Sequence, residues 1–491
     1  MTLQPIKPII SNMVLLGLGR QGVSALELLA MFTAITPNGL TMGYYEITIA
    51  AAAVCLAPLV LYLFGRIRDP FHPLLIVGAT AFACACYIPL TNPEPALEFT
   101  TRGALADYEL ITLLSVAAFY WGWLWRSKRS PETAPVKGSM LTIYRDEYSP
   151  QRMVAVAWVY ALISAAVAYH YYGHIHSSGY VTNLVFLEWP AAIFFIQAAI
   201  LDRNFLPVAV IGIPLAMTES LLRFFLYGSR FEVAVAGSLA LLPFLSRGTR
   251  PRKALFLVAA FGLAIVVWSM TTTRLIMAQH EANNRLSALV VAVEQLFAHQ
   301  SKPYTAGKTF VFGANVVRVA KETHFGNGDF IYNLGVRFLP HEWFPEKYSL
   351  YTDWSQTGDI KMVRNHLGMS STTMPNGAAC SAFASVFTQF GWLFPLPWFL
   401  LGIWVRHIYG HAVFLRRFNF QAFLVMAVIL MFLFIGQDIY QFVLYGLFGF
   451  VPTLLGYRYC RTAAFRLGRS VAAAGGSAGP NSGGTGGRGG S

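Results

Sequence analysis

The sequence predicts an all-α polytopic membrane protein of about twelve transmembrane helices, eleven if the first is interfacial, with one large extracytoplasmic loop. Three observations lead there. Hydrophobic residues make up 55% of the 491 positions and charged residues only 12%, with a mean hydropathy of +0.51. A soluble globular chain carries about 25% charged residues. Apolar stretches of about 20 residues, the length needed to cross a hydrocarbon core, recur along the chain. The cations behind the net charge of +13 cluster in short segments beside those stretches. That is the positive-inside pattern, not the footprint of a nucleic-acid partner. Aromatics at 15% suit the two interfacial belts.

Taken in order, the candidate spans are 10–35, 44–65, 72–91, 108–125, 153–172, 183–201, 205–226, 231–246, 254–272, 384–405, 420–435 and 437–456. Arg20 and Glu27 interrupt the first, so it either crosses or lies in the interface as an amphipathic helix. The segments 66–71, 126–152, 247–253, 406–419 and 457–469 hold the basic clusters and are assigned to the cytoplasm. Alternation then puts 36–43, 92–107, 173–182, 227–230, 273–383 and the turn at Gly436 outside, with both termini inside.

The chain divides into N-terminal helices (1–272), a large periplasmic loop (273–383), C-terminal helices (384–469) and a Gly/Ser-rich tail (470–491). The tail cannot bury an apolar core and is expected to be disordered. No basic n-region followed by a small-residue cleavage site opens the chain, so no cleavable signal peptide is expected. The five cysteines lack metal-site spacing. Cys84 and Cys86 read as apolar residues inside a span, and Cys380 is the one cysteine firmly in the large loop, so no structural disulfide is expected there.

The large loop concentrates Arg, His and aromatic residues, which points to an anionic substrate at the membrane surface. Arg230 ends Tyr227-Gly228-Ser229-Arg230 at a helix junction, and Arg223 lies seven residues earlier, close to one helix face with it. Glu219 is placed to pair with Arg223. An arginine at the membrane edge is costly, and its planar fork suits phosphate. Arg274 closes Thr271-Thr272-Thr273-Arg274 on the outer side, against the charge bias, and either meets an anion or snorkels to the headgroups.

Within the loop, Arg337 opens an irregular stretch, Arg337–Lys347, broken by Pro340 and Pro345. Trp343, Phe344, Tyr348, Tyr351 and Trp354 form either a platform for sugar rings or an interfacial anchor. Arg364-Asn365-His366 offers a histidine able to take a proton from a hydroxyl beside a cation able to hold phosphate. His324, His341, Asp329, Glu342, Asp353 and Asp359 are further candidates for the base. Pro375-Asn376-Gly377, then Phe390-Gly391-Trp392 and Leu401-Gly402, read as a polar re-entry into the membrane.

These features together resemble the Wzy-type O-antigen and exopolysaccharide repeat-unit polymerases of bacterial envelopes. The features are the GSR at a helix junction, the late large loop, a P-x-x-x-x-P-x-K stretch at 340–347, and a Pro/Gly turn before FGW and LG. The resemblance covers roughly 205–405. It implies a metal-independent glycosyltransferase of the bacterial inner membrane, without cofactor. Such an enzyme joins undecaprenyl-pyrophosphate-linked oligosaccharides, sometimes with a chain-length regulator as partner. It implies that Arg223, Arg230, Arg274 and Arg337 bind the pyrophosphate, and that His366 and Arg364 are catalytic. Cys380-Ser381-Ala382-Phe383 departs from the family pattern and leaves the acceptor-side residues open. An O-antigen ligase shares this architecture. A polysaccharide transporter or flippase is the alternative from another class, disfavoured by spans with few charges in their middles.

Overall fold

A computed structural model describes residues 43–69, 72–91, 97, 99–125, 144, 147–170, 181–218, 220, 221, 231–247, 308–338, 344, 346, 350, 354, 358–369, 381–436 and 439–462. Every element among the described residues is helical. Five helices are long and apolar enough to cross a membrane: Tyr44–Leu63, Arg102–Leu124, Pro150–His170, Asn183–Leu201 and Phe418–Gly436. By length and composition this is a multi-pass membrane protein. The candidate span 10–35, the one at 254–272 and the tail lie outside the described residues.

Helix α1 (Tyr44–Leu63) starts where Glu46 accepts the Gly43 amide at 3.3 Å. Helix α2 (Pro73–Ala81) starts at His72, whose ring accepts the Leu74 amide. It runs through a π turn (Phe82–Cys86) into α3 (Tyr87–Thr91). Helix α4 (Arg102–Leu124) begins at the Thr101 cap, six residues before the predicted 108. The side-chain cap, not the onset of apolar residues, sets that boundary.

Helix α5 (Pro150–His170) precedes a 3-10 turn (Val181–Leu187) and α6 (Glu188–Leu201). The predicted span 205–226 opens as α7 (Leu206–Ala216). The span at 231–246 is two short helices, α8 (Phe231–Leu239) and α9 (Leu242–Arg247).

Segment 273–383, expected as a loop, contributes α10 (Lys308–Glu322), α11 (Asp329–Phe338) and α12 (Gly358–Leu367). Helix α13 (Ser381–Phe390) follows across the predicted boundary. The single span expected at 384–405 is broken. Ser381–Leu393 and Pro395–Phe414 meet at 113°, around Gly391 with φ +54°. A left-handed residue ends a helix, and glycine adopts it without a Cβ penalty. Helix α14 (Pro395–Tyr409) leads away through a second π turn (Gly410–Phe414). Helices α15 (Phe418–Gly436) and α16 (Ile439–Cys460) complete the order.

Two apolar clusters form the interior. One joins α1, α2, α4, α10, α13 and α14. The other joins α5 to α9. Both include α15 and α16, and Phe423, Phe442 and Phe450 pack against both. Leucines and valines such as Val60 and Leu63 on α1, and Val159 and Leu162 on α5, remain exposed, as faces toward lipid require.

Helices α4 and α14 touch backbone to backbone. A Cβ on Gly402 would fall on the Phe119 carbonyl, and one on Gly122 on the Phe399 carbonyl. The glycine of the Leu401-Gly402 pair is thus a packing residue.

The helix ends segregate. At one end Tyr409 donates to Asp69, Arg406 to the Trp123 carbonyl and Tyr144 to the Arg416 carbonyl, while Tyr148 bridges Arg461. Four of the five basic segments therefore meet there. At the other end α10 to α13 form a cap. Lys321 reaches Asp107 at 2.6 Å and the Tyr108 ring meets Phe310 at 5.5 Å. These two α10 positions are about 16 Å apart along a helix, yet their partners are adjacent on α4. Helix α10 therefore crosses the end of α4 and does not run along it.

Candidate functional site

The cap is a hydrogen-bonded body. Trp354 is wholly buried. Its indole N–H donates to the His324 carbonyl at 2.8 Å. Its own carbonyl accepts from Gln389 Nε2 at 3.0 Å and from the Tyr440 hydroxyl at 2.7 Å. Gln389 Oε1 accepts the Phe330 amide at 2.9 Å. The Gly326 and Gly328 amides donate to the Thr388 and Gln389 carbonyls at 2.7 and 2.9 Å. Asn333 Nδ2 donates to the Tyr440 hydroxyl at 3.1 Å. Segment 323–330, between α10 and α11, is thereby fixed to α13 and α16. Trp354 is consequently not a platform for sugar rings, because its faces are buried.

On this body sits a histidine–carboxylate pair. His366 Nε2 lies 3.0 Å from Glu322 Oε2. Arg318 Nε donates to the other oxygen, Oε1, at 2.8 Å. Arg318 and Glu322 are one helical turn apart on α10, and His366 comes from α12. The hydrogen bond from Arg318, followed by that from His366, holds the Glu322 carboxyl below the ordinary carboxylate range. All three side chains are partly open to solvent. A carboxylate on one ring nitrogen fixes the tautomer and leaves the other nitrogen free to accept a proton.

The residues expected at the site divide as follows. His366 and Arg364 lie on α12, a helix and not an irregular loop. Residues two apart on a helix do not share a face. Arg364 and His366 therefore leave α12 on different faces. Arg337 falls in the last turn of α11, where an irregular stretch was expected. Pro340 follows two residues beyond, as the rule against a proline in a helix interior requires. Arg223, Arg230 and Arg274, with His341, Glu342 and Asp353, lie outside the described residues. Asp329 opens α11, in its first turn. Among the described residues no group of three or more His, Cys, Asp or Glu could hold a metal ion.

Sequence reasoning missed Glu322 and Arg318. Their spacing of four was legible as a helical ion pair, but they lay in a segment read as loop. It also missed Glu109, which is wholly buried on α4. A second buried carboxylate, Glu188, accepts from the Ser220 amide at 3.2 Å, the Ser220 hydroxyl and the Trp189 indole at 3.0 Å. That anchors the helix leading toward Arg223 to the start of α6. No family model, no curated protein and no solved structure matches this chain.

Proposed function

We propose that this chain is a glycosyltransferase of the Wzy kind in a bacterial inner membrane, joining undecaprenyl-pyrophosphate-linked oligosaccharide units on the periplasmic side. The observation that carries the reading is the His366–Glu322–Arg318 arrangement on the cap, at the end opposite the basic helix junctions. By the charge rule the basic end is cytoplasmic, so the cap faces the periplasm.

In this reading Glu322 accepts the Nε2 proton of His366, and Nδ1 takes the proton of the acceptor sugar hydroxyl. The hydroxyl oxygen bonds to the anomeric carbon of the growing chain. The bond from that carbon to the lipid pyrophosphate breaks, and the pyrophosphate leaves with the electron pair. Arg364 and the arginines at 223, 230, 274 and 337 supply the cations that stabilise it. The finer topology of about twelve spans around the loop segment belongs to the same proposal, as does a chain-length regulator as partner.

A second reading is transport of the lipid-linked saccharide. It is favoured by one observation, the fully buried carboxyl groups of Glu109 and Glu188 within helices. Mass spectrometry of undecaprenyl-linked saccharides from cells lacking the gene separates the readings. Single repeat units with no long polymer support a polymerase. Long lipid-linked polymer that reaches no acceptor means a ligase. An unchanged lipid-linked pool rejects both and leaves transport.

A further inference from the structure

Glu109 sits on α4, seven residues after the helix start and beneath the cap. It is wholly buried. Its Oε2 accepts from the Cys86 thiol at 3.6 Å, a long and weak bond. Its Oε1 has no hydrogen-bond partner. Among the described residues no ion pair reaches it. Glu188 is the contrast, equally buried but holding three donors.

The surroundings of Glu109 are polar and incompletely bonded. The hydroxyls of Tyr44, Thr112 and Ser115 are buried without partners. Tyr44 is the first residue of α1, which packs against α4. Cys86 belongs to the π turn, and its thiol is within hydrogen-bond reach of Cys55 on α1. Tyr120, whose hydroxyl also lacks a partner, lies beyond Cys55. A π turn breaks the regular backbone ladder and is frequent at functional sites. This one also packs against α10.

An isolated carboxylate in such a place is very costly, because neither a cation nor a set of N–H donors replaces its hydration. The neutral acid carries no such cost. We propose that Glu109 is a proton-binding site within the α1–α2–α4 bundle, which exchanges its proton with the nearer, capped end of the molecule. The ionisable groups of the same bundle are Cys86 of the π turn, which donates to it, with Cys55 and Tyr44 on α1. Asp107 on α4 is engaged by Lys321 of α10. Helix α13 has no ionisable residue, and Arg406 and His407 of α14 lie in that helix's last turn, at the opposite end. The exchange moves a proton only, onto and off the Glu109 carboxyl. No cofactor or redox step is involved. The site stands whether the chain polymerises, ligates or transports.

Infrared spectroscopy of the full chain in lipid nanodiscs tests this. Wild-type protein is expected to show a protonated-carboxyl carbonyl band that Glu109→Gln lacks and that shifts in D2O. In Glu109→Asp the band should move in frequency and not vanish, which keeps the test alive if the glutamine variant fails to fold. Glu188→Gln should remove carboxylate bands instead. If Glu109→Gln loses carboxylate bands, or Glu109→Asp leaves the carbonyl band unmoved, the carboxyl is ionised and the proposal fails. A band that does not respond to D2O marks a sealed structural acid, and the proposal fails equally.

Discussion

At the scale of the residue, Gln389 shows how much of the cap rests on single side chains. Its amide accepts from α11 and donates to the Trp354 carbonyl, with no exposure to solvent that could substitute. Gln389→Ala strands the part-buried Phe330 amide. It is expected to cost about 1–3 kcal/mol, read as a lower melting temperature in detergent or nanodisc. In the proposed function, Glu322 is the residue on which the chemistry turns. Glu322→Gln keeps the shape and removes the charge that orients His366. Turnover is expected to fall about 10²-fold, with KM little changed and with His366→Asn losing at least as much. Full polymer formation by both variants would sink the base assignment.

Glu322 also sets a pH dependence. Its carboxyl is held low in the folded state by Arg318 and His366. The contribution of the α10–α12 link is thus complete above the unfolded carboxylate pKa and is lost as pH falls through the folded one. Amide exchange in α12 is expected to accelerate over that acidic window in wild type. No such step is expected in Glu322→Gln.

At the scale of the element, the two informative glycines fail differently when substituted. At Gly391 a Cβ meets only ordinary contacts with Phe325. Gly391→Ala therefore costs the left-handed backbone alone, about 1–2 kcal/mol, and the 113° break between α13 and α14 is retained. At Gly402 a Cβ strikes backbone on α4. A carbonyl cannot step aside as a side chain can, so Gly402→Leu must part the two helices. Loss of folded protein by fluorescence-detected gel filtration is expected for Gly402→Leu, and retention for Gly391→Ala. Helix α10 is the other lesson at this scale. Phe310 to Val317 are buried on every face, so that stretch of the helix is enclosed between α4 and the rest of the cap, and its last turn opens to solvent.

At the scale of the whole molecule, charge and architecture divide along the same axis. The basic junctions gather at one end, and the cap with its histidine–carboxylate pair covers the other. Single cysteines test this directly, because Asn365 on the cap and Arg417 at the basic end are both exposed. An impermeant thiol reagent is expected to label Asn365→Cys from the periplasmic side and Arg417→Cys from the cytoplasmic side. Labelling of both from one side would overturn the orientation.

Hydropathy alone made the helical, multi-pass character legible, because the backbone must be satisfied internally in an apolar phase and apolar runs of about 20 residues do so as helices. Alternation of apolar and basic segments located α1, α5, α6 and α15 to within a few residues. It failed where a helix is decided by partners. Segment 308–338 looks like loop by composition, since Arg318, Lys321 and Glu322 dilute its valines, and only burial against α4 and α13 makes α10 a core helix. His366 was legible as a candidate base by its residue type. Glu322 was not legible as its partner, because the separation of 44 positions is closed only by the packing of α10 against α12. Glu109 escaped because a lone glutamate near a predicted helix end reads as interfacial until the Thr101 cap moves that end outward. What the sequence determined by itself is therefore the class of solvent and the alternation of helices, which follow from local composition. What only the tertiary structure decided is which polar groups meet, because those contacts join residues distant in the chain and no periodicity records them.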